Sequence, residues 1–307
     1  MNYQYQPLNL VEFFSAFPTQ EACEYHLIRA RWPKGVICEK CGKQDIYSQI
    51  STRRVYQCRS CGHFNYPTAG TIFHKTHTSL QRWFLAIFLV ASDKRGISAL
   101  HLSKQIGVHY KTAWAMLQRI RHAMAKRDAH YKLSGSVELD EMFIGAATEG
   151  KKRGRGTEQT PVLVAVSSVF GKKGKEYMGF ARMRAVKIID GKTIVKFAKD
   201  TIKSGSRVRS DGLQVYPALK KHGFVHEPHI IKKCKAHVVL PHVHIYISNL
   251  RSFVMGTYHG LDETHLQQYL DEFCYRFNRR RHYHELFDRL LLACLKKEEM
   301  PFSALTT

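Results

Sequence analysis

The sequence predicts an α/β chain with a small zinc ribbon and a helix-turn-helix unit ahead of a mixed-sheet domain. Three observations predict it. Two Cys-x-x-Cys pairs, Cys38/Cys41 and Cys58/Cys61, frame 16 residues. Two amphipathic helical patterns meet at Gly107. After about residue 134, apolar β-rich runs alternate with helical ones, the order of an α/β domain. The expected division is a helical lead-in at 1–30, the ribbon at 31–72, helices at 78–130, the sheet domain at 134–260 and closing helices at 261–307.

Composition narrows the partners. The chain has 307 residues, 48 Lys and Arg against 25 Asp and Glu, and a net charge of +23. That excess points to a polyanion, and nucleic acid is the expected one. A hydrophobic content of 44% argues against disorder. No apolar run approaches about 20 residues, as a membrane span would need. The first residues lack a basic stretch followed by an apolar core, so no signal peptide is expected and the location is read as cytoplasmic.

Residues 9–30 hold two short helical patterns broken by Pro18, with Thr19 as a cap for the second. In the ribbon, Gly42 and Gly62 follow the two Cys pairs, which lets each knuckle turn its amides towards the thiolates. Four thiolates at this spacing suit a tetrahedral structural Zn²⁺, and the segment between them alternates like a hairpin. Arg53, Arg54, Arg59 and Tyr56 lie within reach of phosphates in such a ribbon. Ser79 then caps a helix containing Trp83, Phe84, Ile87 and Val90. Ile97, Leu100, Leu102 and Ile106 mark the next, and Ala113, Met116, Leu117 and Ile120 the one after Gly107. Helix, Gly turn, helix is the helix-turn-helix pattern. The second helix is expected to expose His109, Lys111, Thr112, Gln118, Arg119 and Arg121 to a major groove. A three-helix bundle with a basic face has the same pattern, and the adjoining zinc ribbon favours DNA.

The chemistry is expected at VELDEMFI, 137–144. Glu138, Asp140 and Glu141 stand in an apolar strand pattern, where a carboxylate is costly unless paired or bound to metal. A solvated strand end is the plainer account. The basic Gly-rich loop that follows, with Lys151, Lys152, Arg153 and Arg155, suits a phosphate backbone. Apolar runs at 161–170 and 176–185, a helix at 190–204 and a short strand ending at Asp211 complete the pattern. The first and fourth strands can lie side by side, which brings Asp140 to Asp211. Two carboxylates sharing a site repel unless cations neutralise them, and this favours two-metal phosphoryl chemistry. Helical patterns follow at 216–223, 244–260, 262–280 and 284–297.

Read together, CEKCG…CRSCG, PTAGTIFHKTHTSLQRWFLAIFLVAS, RGISALHLSKQIGVHYKTAWAMLQRIR, VELDEMFIG, VRSDGLQVYPAL and GTYHG…HLQQYLDEFCYRFNRR resemble the ISXO-type bacterial insertion-sequence transposases. The likeness runs from about Arg29 to Arg280. It implies a zinc ribbon and a DDE catalytic domain with an RNase H-like fold. It also implies DNA cleavage and strand transfer with Mg²⁺ or Mn²⁺, and a nucleoid-associated protein acting as a dimer or higher oligomer. The DNA partners would be the element's terminal inverted repeats and a target. Asp140 and Asp211 match the first two catalytic carboxylates. The third position departs from the pattern. The family's Glu falls at His244, a DDH-like site, and its Lys at Arg251, seven residues and about two helical turns on. Asn249 and Glu227 remain rivals for that position. Two other functions remain open: a catalytically decayed DNA-binding regulator, and a metal-dependent nuclease without strand transfer.

Overall fold

The computed structural model describes residues 9–44, 47–50, 55–145, 159–229 and 239–296. The chain divides into two compact units, residues 1–124 with 282–307, and residues 125–281.

In the first unit, α1 (Leu10–Ala16) and α2 (Gln20–Arg31) flank Pro18. Asn9 and Glu12 form a capping box on α1, and Thr19 caps α2. The ribbon is an antiparallel sheet of β1 (Tyr47–Ile50), β2 (Val55–Cys58) and β3 (Phe64–Asn65). Ser79 caps α3 (Leu80–Ser92), which buries Trp83, Phe84 and Ile87. α4 (Ala99–Ile106) ends at Gly107, whose φ of 62° is left-handed and favours glycine, and α5 (Tyr110–Ala129) follows. The last helix, α9 (Leu286–Cys294), packs on α3. Phe287 joins Phe13, Phe17, Phe84 and Phe88 in one aromatic cluster.

The helix-turn-helix pattern is present, but its exposed face differs from expectation. Gln118 and Arg121 are buried, at 0% and 2% exposure. Buried positions 113, 116, 117, 118, 120, 121, 123 and 124 sweep roughly 220° of α5 at 100° per residue, so the helix is enclosed on more than one side. Its outward arc carries Lys111, Thr112, Arg119, His122 and Lys126. Thr112 and Arg119 are half-buried, and Arg119 donates to the Ile72 carbonyl at 3.1 Å. Lys151, Lys152, Arg153 and Arg155 lie outside the described residues.

The second unit is built on a five-stranded sheet, in the order β6-β5-β4-β7-β8. β4 (Ser136–Ile144), β5 (Thr160–Phe170) and β6 (Glu176–Ala185) form an antiparallel meander. α6 (Gly191–Thr201) leads to β7 (Arg207–Asp211), which lies parallel to β4. β8 (Val225–His229) adds a second parallel pair, a strand the sequence pattern did not reveal. This is the RNase H-like arrangement.

Each face of the sheet has its own core. α7 (Pro241–Phe253) and α8 (Leu266–Asn278) cover Met142, Val162, Val164 and Val166. α6 and the 3₁₀ turn 216–222 cover Val137, Leu139, Leu163 and Val208. The expected closing segment 261–307 therefore divides, with α8 packed on β6 and α9 on α3.

Leu250 of α7 is fully buried against the sheet. Leu250→Ala is expected to destabilise this unit by about 2–5 kcal/mol, read from urea unfolding of the whole chain.

Candidate active site and metal centres

The strand period of two sorts the acids of β4. Val137, Leu139 and Glu141 face α6, while Glu138, Asp140 and Met142 face α7. The β4/β7 register pairs Leu139 with Ser210, so its next step sets Asp140, in the middle of β4, beside Asp211, the last residue of β7. Ligand oxygens of Asp140, Glu141 and Asp211 lie within 4.8 Å of one another. Each side chain is held. Asp140 Oδ1 accepts from the Glu141 amide at 2.9 Å, and Asp211 Oδ1 from the Leu213 amide at 3.1 Å. Tyr216 donates its hydroxyl to Glu141 Oε2 at 2.7 Å. Burial, together with Glu141, pushes the Tyr216 phenol well above its usual range, so it remains a donor.

The first turn of α7 brings His244 to this edge, with Nδ1 3.8 Å from Asp140 Oδ2. Asn249 is exposed, and five residues along α7 turn it about 140° from His244. Arg251 is also exposed and shares the His244 side, two turns on. Glu227 sits on β8, 3.2 Å from Arg207. Thus Asp140 and Asp211 come together with Glu141, His244 approaches Asp140, and Asn249 and Glu227 do not join them.

The acids suit a hard divalent cation, since carboxylate oxygens are its preferred donors and the three carboxylates need positive charge between them. Glu141 was visible in the sequence as part of the Asp-Glu pair, but not as a member of the site. Glu138, Arg209 and His242, clustered beside it, were missed as well. Glu138 could have been found by counting two positions back from Asp140.

The four ribbon cysteines also converge. Cys38 and Cys61 Sγ are 3.6 Å apart, and Cys41 and Cys58 Sγ 3.7 Å. A tetrahedron with Zn–S bonds of about 2.3 Å has edges of about 3.8 Å. The knuckles repeat one geometry: the Gly42 amide donates to the Cys38 carbonyl at 2.9 Å, and Gly62 to Cys58 at 2.8 Å. Both glycines have φ of 70°. Burial raises the Cys38 thiol, but amides of Cys41 and Lys40 and the neighbouring thiols outweigh it and bring it to about 6. Cys61 is helped by a backbone hydrogen bond at His63, yet burial and the other sulfurs drive it up to about 12. The Cys38 and Cys61 thiols are thus driven apart, and a cation is what allows neighbouring thiolates to share one place.

Residues 132–278 match the ISXO2-like transposase domain, and residues 18–64 the transposase zinc-ribbon domain. The chain thus carries a region similar to the ISXO2-like transposase domain behind one similar to the transposase zinc ribbon. The ribbon match takes in Cys38, Cys41, Cys58 and Cys61, and the transposase domain match takes in Asp140, Asp211 and His244. An uncharacterized protein in the transposable element ISH50 of Halobacterium salinarum is 29% identical over 164 residues, 48% of this chain and 54% of that protein. The chain thus spans about half the length of that relative. Among solved structures, the Mos1 transposase paired-end complex with left transposon end is 11% identical. It covers 92% of this chain and 100% of its own, with a TM-score of 0.30. The Mos1 Strand Transfer Complex is 12% identical, covering 74% and 81%, also with a TM-score of 0.30. Among the described residues, no helix is long and apolar enough to cross a membrane.

Protein purified without chelator is expected to carry about one zinc per chain. Cys58→Ser should lower that content and the melting temperature of the ribbon together. Metal analysis finding no zinc in the unaltered protein would refute the four-thiolate assignment.

Proposed function

We propose that this chain is a transposase that binds the ends of its own element and catalyses metal-dependent DNA cleavage and strand transfer. The observation that carries this reading is the pair Asp140 and Asp211 on adjacent parallel strands, where the pairing of β7 with β4 ends, with His244 3.8 Å from Asp140. Asp140 and Asp211 would hold Mg²⁺ or Mn²⁺, with His244 as third ligand and Glu141 in reach. When bound, the metal supplies the charge neutralisation and Lewis acidity that an in-line displacement at phosphorus needs.

The chain's own groups have distinct tasks. Asp140 and Asp211 concentrate the carboxylate oxygens that would draw a divalent cation to one place on the sheet. Tyr216 orients Glu141 by its 2.7 Å hydrogen bond. Arg251 holds a flanking phosphate from the same side of α7. The ribbon and the outward arc of α5, with Lys111, Thr112 and Arg119, grip the terminal repeats. The basic residues at 151–155 extend that grip. Joining two ends calls for at least two copies of the chain on DNA. The charge of +23 supports a DNA partner throughout.

Asp140→Asn or Asp211→Asn is expected to abolish cleavage and joining of labelled element ends while sparing end binding. An amide keeps the shape but loses the charge that the metal requires. Strand transfer at the unaltered rate by either variant would sink the assignment, and hydrolysis without joined product in the unaltered protein would favour a nuclease. His244→Ala should lose activity and Asn249→Ala should keep it; the reverse result would move the third ligand to Asn249. End binding should also weaken steeply with salt, by about 10³–10⁵ between 50 and 200 mM for six to ten phosphate contacts. A flat response would remove the case for a polyanion partner.

A further inference from the structure

Beside the proposed metal-binding edge lies a second polar cluster, which the reaction as described does not use. Glu138 is fully buried, two residues before Asp140 and on the same face of β4. Its Oε2 accepts from the Val243 amide at 2.8 Å. Val243 is the third residue of α7, and its amide is one of those that a helix start leaves unsatisfied. A capping side chain normally meets that need, but Leu240 at the cap position makes no such bond. Glu138 therefore caps α7 from the neighbouring strand.

The other oxygen faces β7. Arg209 Nη2 donates to Glu138 Oε1 at 3.2 Å, and the two residues are direct register partners. The same nitrogen reaches Ser168 Oγ at 3.3 Å and pairs with Glu176. His242 Nδ1 lies 3.1 Å from Ser168 Oγ and 3.5 Å from Glu138 Oε1. Glu138, Glu176 and His242 are spaced as cation ligands are, but the Arg209 guanidinium already supplies the positive charge among them. The cluster is a brace. One carboxylate ties together the strand of Asp140, the strand of Asp211 and the first turn carrying His244.

We propose that Glu138 is a positioning residue. By capping α7 and pairing with Arg209, it sets His244 against Asp140 and so tunes the affinity of that edge for its metal. The proposal rests on the function argued above, in which His244 is a ligand. Groups that orient a ligand typically change metal affinity by about 10–100-fold when removed.

The test measures Mn²⁺ binding to the full chain by calorimetry, without DNA, alongside circular dichroism to confirm folding. Glu138→Ala and His244→Ala are each expected to weaken Mn²⁺ binding by about tenfold or more. The double variant should bind no more weakly than either single one, because both changes remove the same contribution. Glu138→Gln keeps an acceptor for the Val243 amide and should lose less than Glu138→Ala. Unaltered affinity in folded Glu138→Ala overturns the proposal, as does a double variant whose loss is the product of the single losses. If Glu138→Ala does not fold, Glu138→Gln decides. A loss that vanishes in the His244→Ala background supports the brace, and an unaltered affinity overturns it. Failure of the functional reading looks different: Asp140→Asn or His244→Ala would then bind Mn²⁺ as the unaltered protein does, and the proposal would fall with it.

Discussion

The parallel pairing of β4 with β7 is the contact on which the candidate site depends. It carries Asp140 and Asp211 to the same edge, although 70 residues lie between them. The pairing is fixed from both sides. β5 runs antiparallel to β4 from Val137 to Ile144, and β8 continues the parallel order beyond β7. A slip of one residue in β4 would turn Asp140 into the core under α6 and bring Leu139 to the α7 face. Two hydrophobic cores, one on each face, resist that slip. The register that positions the acids is thus enforced by Val137, Leu139 and Met142, residues with no chemistry of their own.

Much of this was legible in the sequence, because the signals were local or periodic. The two Cys-x-x-Cys-Gly knuckles, the cap at Ser79, the turn at Gly107 and the runs at 161–170 and 176–185 all announce themselves within a few residues. Asp140 was legible as an acid within an apolar strand pattern, and Asp211 as one at the end of another. What was not legible depends on tertiary enclosure. Val225–His229 contains a proline and two histidines, yet it pairs with β7 because an edge strand tolerates proline on its free side. Gln118 and Arg121 read as a basic surface, yet α5 is enclosed over more than half its circumference. Glu138 read as one acid among three, and only the position of α7 makes it the helix's cap.

The two units solve different stability problems. The sheet unit buries apolar residues on both faces and needs no metal to form a core. The ribbon has three short strands, the last of two residues, and few large apolar side chains among its described residues. A unit that small rarely holds itself together by burial alone. Convergence of four sulfurs at tetrahedral spacing is the substitute, and it accounts for thiols whose proton affinities are driven apart without a cation. The helices beside the ribbon depend instead on aromatic packing, with Phe13 and Phe88 rings 4.7 Å apart and Phe17 and Phe84 5.0 Å apart.

A histidine at the third position changes the charge of the proposed site less than the substitution alone implies. Replacing a glutamate by a neutral imidazole removes one negative charge from the metal's surroundings. Here Glu141 stands next to Asp140, and its carboxylate reaches within 4.8 Å of those of Asp140 and Asp211. Although Glu141 belongs to the opposite face of β4, its carboxylate still reaches the shared cluster, and Tyr216 holds Oε2. Three carboxylates therefore stand together, with the His244 imidazole 3.8 Å from Asp140. The difference lies in softness rather than in charge. Oxygen donors alone suit Mg²⁺, whereas a nitrogen donor shifts preference towards transition metals such as Mn²⁺. In the proposed reading, the chain would keep the charge that phosphoryl transfer needs and would alter which cation meets it best.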